Sequence, residues 1–102
     1  KRTVAQVSVL RAAFDKAGGA RGKFLRALAN APGATKRYGA KAVEAMRSGK
    51  VPEGMVVHHK KPLFRGGTNR PSNLVLMSAE KHTQQNRALH WYPEGQNPFG
   101  LN

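Results

Sequence analysis

The chain has 102 residues, with 18 Lys and Arg against 5 Asp and Glu, and no cysteine. A formal net charge of +13 points to a polyanionic partner, nucleic acid ahead of an anionic membrane surface. The lack of Cys excludes disulfide staples and Cys-ligated zinc, and no apolar run approaches the ~20 residues of a membrane span.

One domain, residues 1–102, is expected at this length. A hydrophobic content of 39% implies a small core. The charge is uneven. Residues 1–50 carry 12 Lys and Arg against 2 acids, and residues 51–102 carry 6 against 3. The basic half and the histidine-bearing half are thus different halves, which suggests a division of labour. No signal peptide is recognisable. The first residue is Lys1 rather than Met, so a piece of a longer protein is expected.

Lys1 to Ala17 is predicted as a helix, with Val4, Val7, Leu10, Phe14 and Ala17 on one apolar face. Thr3 is a candidate cap, and Gly18-Gly19 ends the helix. Lys23 to Ala31 is predicted as a second helix, with Phe24, Leu25 and Leu28 inward, stopped by Pro32-Gly33. Thr35 to Arg47 is predicted as a third. Its Tyr38, Ala42, Ala45 and Met46 face the core, and Arg37 and Lys41 share another face. Pro52 and Gly54 mark a linker. Met55 to His58 is a strand candidate, Lys60 to Ser72 a Gly-containing loop, and Asn73 to Met77 a second strand. Ser78 is a natural N-cap for a helix from Ala79 to about His90, with Glu80 in the first turn where the helix dipole favours an anion. The tail from Trp91 is irregular, and Trp91, Tyr92 and Phe99 are expected to fold back onto the core. The expected class is α+β, a helical half at residues 1–50 followed by a β-β-α unit at 51–90 and a tail at 91–102.

The chemistry concentrates between Val56 and Asn86. His82 and Asn86 lie four apart on a predicted helix and share a face, so the pair can bite one metal ion. A strand-borne histidine opposite would be a third ligand, leaving positions open for water and phosphate. His58 and His59 are adjacent and point to opposite faces if the strand runs through them. One can bind metal while the other acts as a base near neutral pH.

In this order, His58-His59, Lys61-Pro62, Gly66-Gly67, Asn73-Leu74, His82 and Asn86 resemble the HNH nucleases, the ββα-metal superfamily. The likeness covers about a third of the chain. It looks closest to the nuclease domains of bacterial toxins, both the DNase colicins and the polymorphic toxin domains of the HNH and endonuclease VII type. The resemblance implies that His58, His82 and Asn86 are metal ligands and that His59 is the general base. It implies that Asn73 pins the loop so that His59 points correctly. His90 matches no family position, and a helix-end histidine facing the C-terminal dipole is its expected role. Val56 stands where the DNase colicins carry a Glu. Two imidazoles and an amide oxygen suit one divalent ion, Mg²⁺ or Mn²⁺ in catalysis, with Zn²⁺ or Ni²⁺ also accommodated.

The resemblance further implies a metal-dependent, largely sequence-nonspecific DNA endonuclease that leaves 5′-phosphate and 3′-hydroxyl ends. Its place would be the C-terminal toxin domain of a secreted antibacterial effector, delivered into a target cell and acting in its cytoplasm. Lys60, Lys61, Arg65, Arg70 and Arg87 surround the site in sequence and are candidate phosphate contacts. Arg37 and Lys41 are candidates for gripping the DNA backbone from the basic half. The expected partners are DNA and an acidic cognate immunity protein, with no membrane insertion. The alternatives are a housekeeping or phage HNH endonuclease and a nucleic-acid-binding module.

Overall fold

A computed structural model describes residues 1–100 of the chain. Its elements are α1 (Val4–Asp15), α2 (Ala20–Asn30), α3 (Ala34–Tyr38), α4 (Ala40–Arg47), β1 (Met55–His59), β2 (Leu74–Ser78), α5 (Ala79–Gln84) and α6 (Asn86–His90). This is an α+β fold with a two-stranded antiparallel sheet. Thr3 caps α1 in a reciprocal box with Gln6, and the Ser78 hydroxyl accepts from the Lys81 amide at the start of α5.

A two-stranded ribbon is marginal alone in water, so it must pack against something. Here it packs on the helical half. Leu25, Ala29, Ala34, Val43 and Met46 form one core cluster and Phe14, Phe24 and Leu74 another. Leu28 and the cross-strand pair Val57 and Leu76 touch both. Complete burial of Leu25 and Met46 contributes about 1.5–3 kcal/mol each. No described helix is long and apolar enough to cross a membrane.

Four expectations about the helices are corrected. The third predicted helix is two, α3 and α4, because Gly39 between them adopts φ 89° and ψ 153°, outside any helical conformation. Arg37 and Lys41 are both exposed, but they stand on different helices rather than on one shared face. The last predicted helix is also two, α5 and α6, separated at Gln85 (φ −107°, ψ 15°). In α1, Phe14 is buried and Val7 and Leu10 are half-buried, whereas Val4 is 88% exposed and Ala17 lies exposed beyond the helix. Phe14 is the one fully buried residue of α1, and the helix also contacts the turn at Leu63–Arg65.

The loop between the strands is ordered by two short 3₁₀ turns, Leu63–Arg65 and Pro71–Asn73. Gly67 is required there by space. A Cβ at this position would lie 1.7 Å from the Lys61 carbonyl oxygen. In the tail, Tyr92 is buried and the Phe99 ring lies 5.7 Å from that of His58. Trp91 does not enter the core as expected. It stays 64% exposed, with its ring 5.1 Å from Phe64.

Candidate functional site

Strand alternation separates the two adjacent histidines. β1 runs through both, paired His58 to Val75 and His59 to Leu74. His59 therefore faces the helical core, its ring centroid 4.5 Å from that of Phe14. His58 faces the other way, towards α5 and α6. Both are buried, at 4% and 5% exposure.

His58 meets two further imidazoles. Its ring centroid lies 5.0 Å from His82 on α5 and 5.0 Å from His90 on α6, and those two are 5.3 Å apart. Potential ligand nitrogens of the three all lie within 4.8 Å of one another. A tetrahedral ion with nitrogen bonds of 2.0–2.1 Å would space them about 3.4 Å apart, so a small closing of the rings suffices. Two observations fit a metal. The buried Nε2 of His58 has no hydrogen-bond partner. The Nδ1 of His90 lies 2.8 Å from the Asn86 carbonyl oxygen. A carbonyl only accepts, so Nδ1 carries the proton and Nε2 keeps its lone pair, an arrangement typical of ligating histidines.

The break at Gln85 makes this grouping possible. In one continuous helix His82 and His90 would stand about 12 Å apart along the axis. Folding α6 away from α5 brings His90 to His82. Asn86, expected as the last ligand, begins α6 in an exposed position, and its backbone carbonyl orients His90. The sequence carried one signal for His90, its i+8 spacing from His82, but nothing local announced the break.

His58, His59 and His82 are held towards the neutral form. Burial, followed by the nearby His90, His82 and His59, lowers the pKa of His58 from 6.5 to about 4. Burial first, then His90, lowers that of His82. For His59, burial is again the largest cause of a lowered pKa. The Arg11 charge lowers it further, against the opposing effects of Asn69 and Asp15.

A cavity of about 210 Å³ is lined by His58, His59, His82 and His90 together with Val7 and Arg11 of α1. The helical half thus contributes a cation directly to the site, a residue that the sequence reading did not single out. His59 Nε2 lies 2.8 Å from Asn69 Oδ1, and Asn69 Nδ2 donates to the Leu10 carbonyl at 2.9 Å.

Asn73 is buried and bridges both ends of the loop. Its Oδ1 accepts from the Lys61 amide at 2.9 Å, and its Nδ2 donates to the carbonyls of Lys61 and Thr68. Its own carbonyl accepts from the Lys60 amide at 2.7 Å. Arg65, read from sequence as a phosphate contact, turns inward. It donates to the carbonyls of His90 and Tyr92 and lies 3.9 Å over the Tyr92 ring. It thereby ties the loop to the end of α6. Lys60 and Lys61 are half-buried, while Arg70 and Arg87 are exposed. Lys61 lines a separate basic cavity of about 450 Å³ with Lys1 and Arg65. Asn97, unremarked in sequence, donates to the Lys60 carbonyl and the Tyr92 hydroxyl, securing the tail beside the strand end.

No family model matches the chain, and no solved structure matches it. The chain is similar to the uncharacterized protein YhhZ of Escherichia coli (strain K12), 40% identical over 82 residues. The matched stretch is 80% of this chain and 20% of YhhZ, so the chain spans about a fifth of that relative's length.

Proposed function

We propose that the chain is a metal-dependent DNA endonuclease domain of the HNH type, with His58, His82 and His90 as the metal ligands. The observation that carries this reading is the grouping of the His58, His82 and His90 imidazoles, with the Nε2 of His58 buried and without a hydrogen-bond partner. The group lies in a cavity shared with a fourth histidine and an arginine. When bound, a divalent ion supplies positive charge beside the phosphoryl oxygens and the departing 3′ oxygen. An all-imidazole set favours Zn²⁺ or Ni²⁺ over Mg²⁺ in affinity.

His59 is the general base. It lines the same cavity and is kept neutral by burial and by Arg11, ready to take a proton from water. Arg11 holds non-bridging phosphate oxygens at the cavity mouth. Asn73 closes the loop that follows His59 and keeps the strand end in place. The products would be 5′-phosphate and 3′-hydroxyl ends. A chain of +13 that cuts DNA without sequence preference suits a delivered antibacterial toxin, held in the producing cell by an acidic inhibitor over the basic surface.

Plasmid nicking tests the reading. With Mg²⁺, Mn²⁺, Zn²⁺ or Ni²⁺ added one at a time, at least one ion should support cleavage and a chelator should abolish it. His59→Ala should still bind the ion but cleave roughly 10²-fold more slowly or worse. Cleavage that ignores the chelator, or no cleavage with any of the four ions, overturns it.

A further inference from the structure

We propose that Asn69, a loop residue anchored to the N-terminal helix, is a positioning residue for His59 that fixes its tautomer and ring orientation. The functional consequence rests on the nuclease reading above; the structural claim does not. The Leu10 carbonyl can only accept, so the Asn69 side chain must present Nδ2 to it at 2.9 Å. That places Oδ1, an acceptor, 2.8 Å from His59 Nε2. His59 Nε2 therefore carries the proton, and Nδ1 holds the lone pair. The ring also packs against Phe14, at 4.5 Å between centroids. Phe14 and Leu10 belong to the same helix, so α1 sets both contacts.

A buried imidazole without this contact could flip about χ2, which puts ring carbons where the nitrogens stand, and could carry its proton on either nitrogen. Asn69 removes that freedom and leaves Nδ1 as the atom that accepts the proton. Nothing in the loop sequence around Thr68-Asn69-Arg70 marks the residue. Its partner lies 59 positions away.

The test uses the full chain. Imidazole ¹⁵N–¹H spectra of the metal-free wild type at neutral pH should show His59 in one form, with a slowly exchanging Nε2–H. In Asn69→Leu, which has similar size but no acceptor, that proton should exchange with water and an Nδ1-protonated fraction should appear. Asn69→Asp restores an acceptor and should restore the signal. On plasmid, Asn69→Leu should lower kcat roughly 10–100-fold with KM within about threefold, and Asn69→Asp should recover most of the loss. A protected Nε2–H that survives in Asn69→Leu overturns the proposal. So does its absence from the wild type, or a rise in KM alone. If Asn69→Leu does not fold, the wild-type and Asn69→Asp spectra still decide. A wild type that shows the protected Nε2–H but cleaves nothing would sink the nuclease reading while leaving the role of Asn69 intact.

Discussion

At the scale of single residues, His58 sits where burial and function meet. An uncharged imidazole with an unpaired Nε2 in a buried position costs stability, of the order of 1–3 kcal/mol for the missing hydrogen bond. In the proposed function, a metal ion bound at His58 would offset that cost. The lowered pKa has a further consequence in the metal-free protein. Folded His58 titrates near 4 and the unfolded residue near 6.5. Between those values the unfolded chain binds more protons, so stability rises with pH. The contribution is complete above about pH 6.5 and is lost as pH falls towards 4, with His59 and His82 acting in the same direction. For His58 alone the difference is about 3 kcal/mol. Thermal melts of the metal-free protein between pH 7.5 and pH 4.5 should show a falling midpoint, and His58→Phe should flatten the fall. An unchanged midpoint across that window would contradict the neutral, buried imidazole.

At the scale of elements, the break between α5 and α6 decides which side chains meet His58. A continuous helix would pair His82 with Asn86 on one face, whereas the broken one turns His90 onto His82 and leaves Asn86 exposed. Arg65 supports this arrangement by holding the carbonyls of His90 and Tyr92. Titration calorimetry with Zn²⁺ separates the two geometries. His90→Ala should weaken binding tenfold or more. Asn86→Ala, which keeps the backbone carbonyl that orients His90, should stay within about threefold of wild type. The reverse order would restore Asn86 as the third ligand and imply that the helix becomes continuous when metal binds.

At the scale of the whole molecule, the helical half has two tasks. It buries the inner face of a ribbon that is too small to stand alone, through Val57 and Leu76. It also carries most of the positive charge, which five acids in the whole chain cannot neutralise. Arg37 and Lys41 are exposed on separate helices of that half. We expect them to contact phosphates without reading bases. Each such contact contributes about 0.9 to the slope of log affinity against log salt on duplex DNA. Arg37→Ala combined with Lys41→Ala should flatten the slope by about 1–2 and weaken binding equally on unrelated sequences. An unchanged slope, or an effect confined to one sequence, would remove Arg37 and Lys41 from the proposed DNA grip.

Much of the fold was legible in the sequence because local physics controls it. The caps Thr3 and Ser78 and the Val-rich strand from Met55 each depend on near neighbours. Strand alternation alone was enough to assign His58 and His59 to different faces. The third imidazole was decided by tertiary structure, since His90 reaches His58 only where the chain bends at Gln85 and the tail is tied down by Arg65 and Asn97. The same holds for Arg11 and Asn69, which enter the site because α1 packs across it. Periodicity can tell that a residue lies on one side of its own helix. It carries no information about which distant strand or loop that side will meet, because that depends on how all the buried faces fit together.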